Sequence, residues 1–265
     1  MRGIIKHDFV AGCAQFRRMI LIAFLFFVGT LMAENNICYD SAHASVVESI
    51  LYIFQGNYPL AEITDVSQLE MPILWIALQL FIAYIIGSYP LYDLKHYGIN
   101  MLIRTRSKRL WWMGKVLWVI ATVLVIYLIG YVVTFVAVAL MGGSIFGVRS
   151  DIQMFLKVDY SIYSSLGLMM FCFIIPVLAS ITLSLLQLFL IIVFNEAIAF
   201  GTVGFLMLAG VFYDSAILFP CIAMGVRLSS YILSGGILKI MIGMIACSAV
   251  AIVAGAFVMK KKDVF

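Results

Sequence analysis

Three histidines (His7, His43, His96), five cysteines and thirteen carboxylates are the residues of this 265-residue chain that could ligate a metal, attack a carbonyl or carry a proton. Their spacing supports none of these chemistries. The histidines lie far apart, and no His/Glu or Cys/His group has metal-ligand spacing. No GxxxxGK[ST] loop is present to cradle nucleotide phosphates. Serines are plentiful, yet no GxSxG elbow occurs. The sequence therefore argues against an enzyme and nominates no catalytic or metal-binding residue. What remains is cationic: Lys95, Arg104, Arg106, Lys108, Arg109 and Lys115 are six of the seventeen Lys and Arg residues, and they fall within 92–115. That stretch lies between two long apolar runs and ends on Trp111-Trp112 and Lys115. Cationic loops stay cytoplasmic and Trp favours the headgroup layer. A cytoplasmic loop ending at the bilayer surface is predicted, and its side fixes the side of every other loop.

Composition dictates what positions such a loop. Hydrophobic residues make up 65% of the chain and charged residues 11%, with a mean hydropathy of +1.12. A soluble domain carries roughly a quarter charged residues, so the expected fold is an all-α polytopic membrane protein. The length leaves room for about six spans of roughly 20 residues. The first 18 residues pattern as an amphipathic interfacial helix: Ile5, Phe9, Cys13 and Phe16 recur at helical spacing, with Arg2, Lys6, Arg17 and Arg18 supplying charge for anionic lipid. Met19–Ala33 is read as span 1, because the basic region before it is too long for a signal peptide.

Residues 34–71 carry Glu34, Asp40, Glu48, Glu62, Asp65 and Glu70 and no Lys or Arg, which marks an outside loop. Val46, Val47, Ile50, Leu51, Ile53 and Phe54 predict a short helix there, lying on the outer membrane surface. Further spans are expected at 72–92, with Gly87 and Pro90 loosening its inner end, and at 116–140, which has no charge. The outside loop 141–164 contains a second short helix within Asp151–Tyr163. Tyr160–Asn195 is uncharged for longer than one span needs and contains Pro176. Lys260-Lys261-Lys262 should be cytoplasmic like Arg17-Arg18, which demands an even number of crossings. Spans are accordingly placed at 164–194, 197–213 and 240–259, with a turn at Asn195-Glu196. The segment Asp214–Gly236 has the character of an outer interface.

Gly243, Cys247, Ala251 and Gly255 repeat every four residues in the last span, a small-residue stripe that lets another helix approach closely, within the chain or from a second subunit. Charges inside spans, which would mark an ion or proton relay, are nearly missing. Glu196 is the one candidate, placed at the inner turn with its carboxylate reaching water. No polar stripe is evident along any span, which argues against a channel. Cys38 and Cys221 could both face outward, and their spacing leaves a bridge between them open.

Asp93-Leu94-(x3)-Gly98, then Leu102-Ile103-Arg104, Ser107-(x)-Arg109, Trp111-Trp112 and Lys115, resembles the loop between spans 2 and 3 of ABC-2-type transporter permeases, above all the six-span permeases of Gram-positive antimicrobial-peptide and peptide-toxin exporters. The motif content is concentrated in 92–118, while the layout of the whole chain is similar. The resemblance implies a subunit without its own cofactor, pairing with a second permease (identical or related) and with two copies of a separate ABC ATPase that binds ATP and Mg. It implies a coupling helix at about Tyr92–Arg106 that docks on that ATPase, with Asp93, Lys95, His96, Gly98, Arg104 and Arg106 as contacts. Ser107–Lys115 would then turn the chain back into the membrane. The implied location is the plasma membrane of a Gram-positive bacterium, multi-pass, with both termini cytoplasmic, contacts to membrane lipids and none to nucleic acid. Export of hydrophobic or amphipathic peptides is the leading reading. Export of a drug, lipid or glycan, or a membrane immunity or sensor protein that binds peptide without pumping it, are the alternatives.

Overall fold

The computed structural model describes residues 20–36, 44–60, 71–93, 107–156, 158, 160, 163, 165–215, 218–227 and 236–261. The N-terminal amphipathic helix expected over 1–18 lies outside these residues, as do Cys13, Cys38 and all three histidines. Among the described residues every regular element is helical. Helix α1 spans Ile20–Asn36, α2 Val46–Ile53, α3 Ile73–Asp93, α4 Lys108–Leu140 and α5 Ser150–Leu156. Helix α6 runs over Leu166–Val193 and contains a π-helical turn at Met170–Ile174. Helix α7 is Glu196–Phe212, two 3₁₀ turns follow at Phe219–Ala223 and Gly225–Arg227, and α8 is Ile237–Lys261.

The helix starts follow local chemistry. Ser45, Ser107 and Asn195 stand immediately before α2, α4 and α7, and their side-chain oxygens accept from the backbone N–H groups of Glu48, Leu110 and Ile198. Each satisfies a donor that the first helical turn would otherwise leave open. Asn195 thus sharply separates α6 from α7, at the predicted turn.

Helices α4, α6 and α8 are long and apolar enough to cross a membrane, and α1, α7 and the Ile73–Gly87 part of α3 are shorter apolar helices. Three such helices are consistent with a membrane protein. Most helix ends fall within three residues of those expected from the apolar runs. The start of α4 is the departure. The helix begins at Lys108, so the segment expected to turn the chain back, Ser107–Lys115, is mostly the first turns of α4. Trp111 and Trp112 are buried in protein. Trp112 Nε1 donates to the carbonyl of Ile252 on α8 at 2.8 Å, and Lys115, itself buried, lies 5.4 Å from the centre of the Trp111 ring. A neighbouring helix offers the Trp112 indole N–H the acceptor that a buried indole requires.

Helix α6 is the centre of the bundle and packs against α3, α4, α7 and α8. Close approach depends on glycine at two places on α4 and α8. A Cβ at Gly130 would collide with the Phe27 ring of α1, and one at Gly255 would collide with the Trp112 ring. The second outcome resolves half of the small-residue stripe. Ala251 and Gly255 are buried inside this chain, whereas a Cβ on Gly243 would meet nothing within 4 Å and Cys247 is only half-buried.

Helix α2 overturns a second expectation. It does not lie on an outer surface: every one of its residues is buried, and Val47, Ile50 and Leu51 join the main apolar core. Two long-range attachments hold it there. The N–H groups of Gly225 and Val226 donate to the carbonyls of Phe54 and Gln55 at 2.6 and 3.0 Å, and a parallel bridge joins Ser45 to Ser144. Gly56 sits at φ +76, where a side chain would be strained and its Cβ would strike Met224.

Candidate functional site

Two polar assemblies organise the bundle. The first is neutral and lies between α3, α4 and α6. Pro176 has no N–H, so the carbonyl of Cys172, four residues earlier, loses its helical donor. The Tyr131 hydroxyl of α4 lies 3.1 Å from that carbonyl and 3.3 Å from that of Phe173. One turn along α4, the Tyr127 hydroxyl is 3.1 Å from the Pro176 carbonyl and 2.7 Å from Ser180 Oγ. Gln79 of α3 completes the group: its Nε2 donates to Ser180 Oγ at 2.7 Å and to the Tyr127 hydroxyl at 3.3 Å. A proline, a π-helical turn and two tyrosines therefore form one device, in which hydroxyls replace the hydrogen bonds that the irregular turn forgoes.

Ser180, Ser184 and Gln187 share one face of α6 at helical spacing and are buried. A polar stripe does run along α6, contrary to the sequence expectation. It packs against α3 instead of facing an open channel: Gln187 Nε2 donates to the carbonyl of Ala83 at 2.8 Å. The Gln187 Oε1 atom has no hydrogen-bond partner among the described residues. On another face of α6, Thr182 Oγ1 is 3.0 Å from Ser248 Oγ on α8 and donates to the Met244 carbonyl at 3.3 Å. Bonds of this kind in apolar surroundings contribute about 0.6 kcal/mol each, enough to set helix rotation without locking it.

The second assembly is charged and caps one end. Glu34 in the last turn of α1, just past the apolar run 19–33, converges with Glu48 on α2 and Arg149 just before α5. Arg149 Nη2 is 2.6 Å from Glu48 Oε1 and 3.4 Å from Glu34 Oε1. The Arg149 backbone N–H also donates to Glu48 Oε2 at 3.0 Å, so Glu48 is gripped by both its oxygens. Ser45 Oγ donates to the Gly147 carbonyl and ties the same loop to α2. Both carboxylates are almost fully buried. Burial, reinforced by Glu48, holds the Glu34 carboxyl far above its ordinary value, at about 8, even though Ser49 and Arg149 pull the other way. Nearby, Arg227 is buried with Nε on the Asn57 carbonyl at 2.9 Å and its terminal nitrogens on the carbonyls of Gly210, Val211 and Tyr213 at 2.8 to 3.1 Å. A cation there meets the last carbonyls and negative dipole end of α7.

Of the residues nominated from sequence, Asp93 is the last residue of α3, and Lys95, His96, Gly98, Arg104 and Arg106 lie outside the described residues. Gly243, Cys247, Ala251 and Gly255 share α8, with the split already noted. Glu196 is exposed in the first turn of α7, where its charge suits the helix dipole. Cys221 is a buried thiol directed at Asp214 Oδ1 (3.8 Å) and the Ser215 carbonyl (3.5 Å); Cys38 lies outside the described residues. The assemblies missed from sequence are Gln79, Tyr127, Tyr131 and Ser180, and Glu34, Glu48 and Arg149. Uncharged polar residues inside apolar runs were the available signal for the first group. Arg149 and Glu48 are 101 positions apart, and no local pattern pairs them. Among the described residues no group of His, Cys, Asp and Glu could hold a metal ion. Compared with family models, curated proteins and solved structures, the chain matches none of them.

Proposed function

We propose that the chain is the membrane-spanning subunit of an ATP-driven ABC-2-type exporter, moving hydrophobic or amphipathic peptides outward. In this reading α1, α3, α4, α6, α7 and α8 are six spans of a plasma-membrane protein with both ends cytoplasmic. The charged cap then faces outside. Two permease copies and two copies of a separate ATPase, which supplies ATP and Mg, complete the exporter. The resemblance of residues 92–118 to the family's coupling loop motivates the proposal.

One structural observation supports it most. The two helices that flank the basic loop, α3 and α4, meet on Ser180 of α6 through Gln79 and Tyr127, and Tyr131 of α4 also bonds to the irregular turn. A push on the loop by a closing ATPase pair would be delivered to the helix that touches α3, α4, α7 and α8 alike. Shear between packed helices is an established way to pass such motion. The neutral network suits this role, because its bonds can be exchanged without exposing a charge to lipid.

The test is a pull-down of the tagged protein from mild detergent, probing for a co-purifying ATPase, in the parent and in a triple variant with Asp93, Arg104 and Arg106 changed to Ala. An ATPase retained by the parent and lost from the variant supports coupling through 92–106. If no ATPase is captured in any detergent or nucleotide state, the exporter reading fails, and a peptide-binding immunity or sensor protein replaces it.

A further inference from the structure

The start of α4 meets the end of α8: Trp112 Nε1 donates to the Ile252 carbonyl, and the Trp112 ring covers Gly255. That contact brings the first turn of α4, with Lys108 and Arg109, to the same end of the bundle as the last turn of α8, with Lys260 and Lys261. Arg109, Lys260 and Lys261 are exposed, and neither helix contains an acidic residue. The pair on α8 has a local reason, since cations suit the negative end of a helix dipole. The pair on α4 has none. Lys108 and Arg109 stand at the positive end of a 33-residue helix whose first turn holds no carboxylate, where a cation is disfavoured unless an anion lies near. Arg109 and Lys261 also each head an apolar row. Arg109, Met113 and Leu117 follow one another at four-residue intervals along α4, as do Lys261, Phe257 and Val253 along α8. The four apolar side chains are 37 to 62% exposed.

We infer that the joined ends of α4 and α8 form a docking surface for an anionic phospholipid, with Arg109, Lys260 and Lys261 around its headgroup phosphate and the two apolar rows along its acyl chains. Each part of that description has a cause. Three exposed cations with no acidic residue on their own helices select an anion, and basic sites between spans on the cytoplasmic side suit lipid headgroups. A zwitterionic lipid presents its phosphate beside its own ammonium group and gains less. The apolar rows ask for hydrocarbon below the charge, which a free phosphate lacks and an acidic protein surface does not supply. The inference rests on the reading of α4 and α8 as spans with this end cytoplasmic, and it needs no ATPase.

For the test, protein in a non-ionic detergent is mixed with equal amounts of phosphatidylglycerol and phosphatidylcholine of identical acyl chains, and the lipid retained on it is counted by native mass spectrometry. Phosphatidylglycerol should dominate. Changing Arg109, Lys260 and Lys261 together to Gln should abolish the preference, and each single change should weaken it by up to roughly fivefold. Arg109→Lys should keep it. Lys239→Gln, which removes an exposed cation at the opposite end of α8, should leave it intact. Excess glycerol 3-phosphate, which has the anion without the chains, should not displace the lipid. The inference is overturned if the triple variant retains as much phosphatidylglycerol as the parent, or if Lys239→Gln lowers the preference equally. Displacement by glycerol 3-phosphate also overturns it, leaving a phosphate site only. A triple variant that keeps its lipid preference but loses a co-purifying ATPase reassigns the cations to that partner.

Discussion

The interior seam and the cap handle buried polarity in opposite ways. Between α3, α4 and α6 the polar atoms are hydroxyls and amides that bond to one another, and Tyr131 also bonds to the Cys172 carbonyl that Pro176 leaves short of a donor. At the cap the polar atoms are two carboxylates and two guanidinium groups, bound by short charge-assisted contacts. Within apolar surroundings a neutral group can trade partners at small cost, whereas a charge cannot be left bare. The seam is therefore the part of the molecule built to shift, and the cap the part built to stay.

The sharpest way to break that contrast is to remove one charge from the cap. Arg149→Met leaves Glu34 and Glu48 buried without their shared cation and should cost about 3–5 kcal/mol, read as a large drop in the melting temperature of detergent-purified protein. Arg149→Lys should rescue little, because a lysine cannot place donors on both Glu48 and Glu34 with the same planar geometry. If Arg149→Met melted like the parent, the cap would be an ornament and the contrast would fail.

A pH series probes the same cluster more gently. The Glu34 carboxyl is raised in the folded protein from 4.5 to about 8, so the folded form holds its proton longer than the unfolded form does. The resulting stability is fully present below about pH 4.5 and is lost as pH rises through about 8. Melting temperature should fall steadily across that window. Glu34→Gln should flatten the slope, and a slope unchanged in that variant would place its origin elsewhere.

The α8 stripe supplies a control outside both regions. Gly255→Val should destabilise by about 1–3 kcal/mol through overpacking on Trp112, while Gly243→Val, with no atom within 4 Å of its Cβ, should leave the melting temperature unchanged. If a second subunit covers Gly243, that variant should instead shift the oligomer on a sizing column. The smallest effects belong to the seam. Ser180→Ala and Tyr127→Phe should each cost about 0.6 kcal/mol, and the double variant should cost less than the sum, because Tyr127 and Ser180 bond to each other and share Gln79.

Helix positions were largely legible from sequence because long uncharged runs have one physical outcome in an apolar medium. Val116–Leu140 and Ile240–Met259 lie inside α4 and α8 for that reason, and Asn195 marks the break between α6 and α7 by its side-chain cap. Burial of α2 was not legible. Its apolar face reads equally well as lying on lipid or inside protein, and the choice was made by Arg149 and Gly225, far along the chain. Burial of Trp111-Trp112 was equally hidden, because the acceptor at Ile252 lies on a helix 140 positions away. The seam left a fainter trace. Gln79, Ser180 and Gln187 are isolated polar letters in apolar text, and a search for charges passes over them.

The π-helical turn in α6 has a consequence for inheritance. Such a turn amounts to one residue more than a regular helix would hold in the same space, so the two ends of Leu166–Val193 keep count as though that residue were absent. A single-codon deletion within Met170–Ile174 is thus the rare indel that could mend a helix instead of scrambling its faces. It would remove the π-helical turn while Pro176 still withholds one main-chain donor, shift the carbonyls that the Tyr131 hydroxyl meets, and yield a protein that folds but has lost its joint.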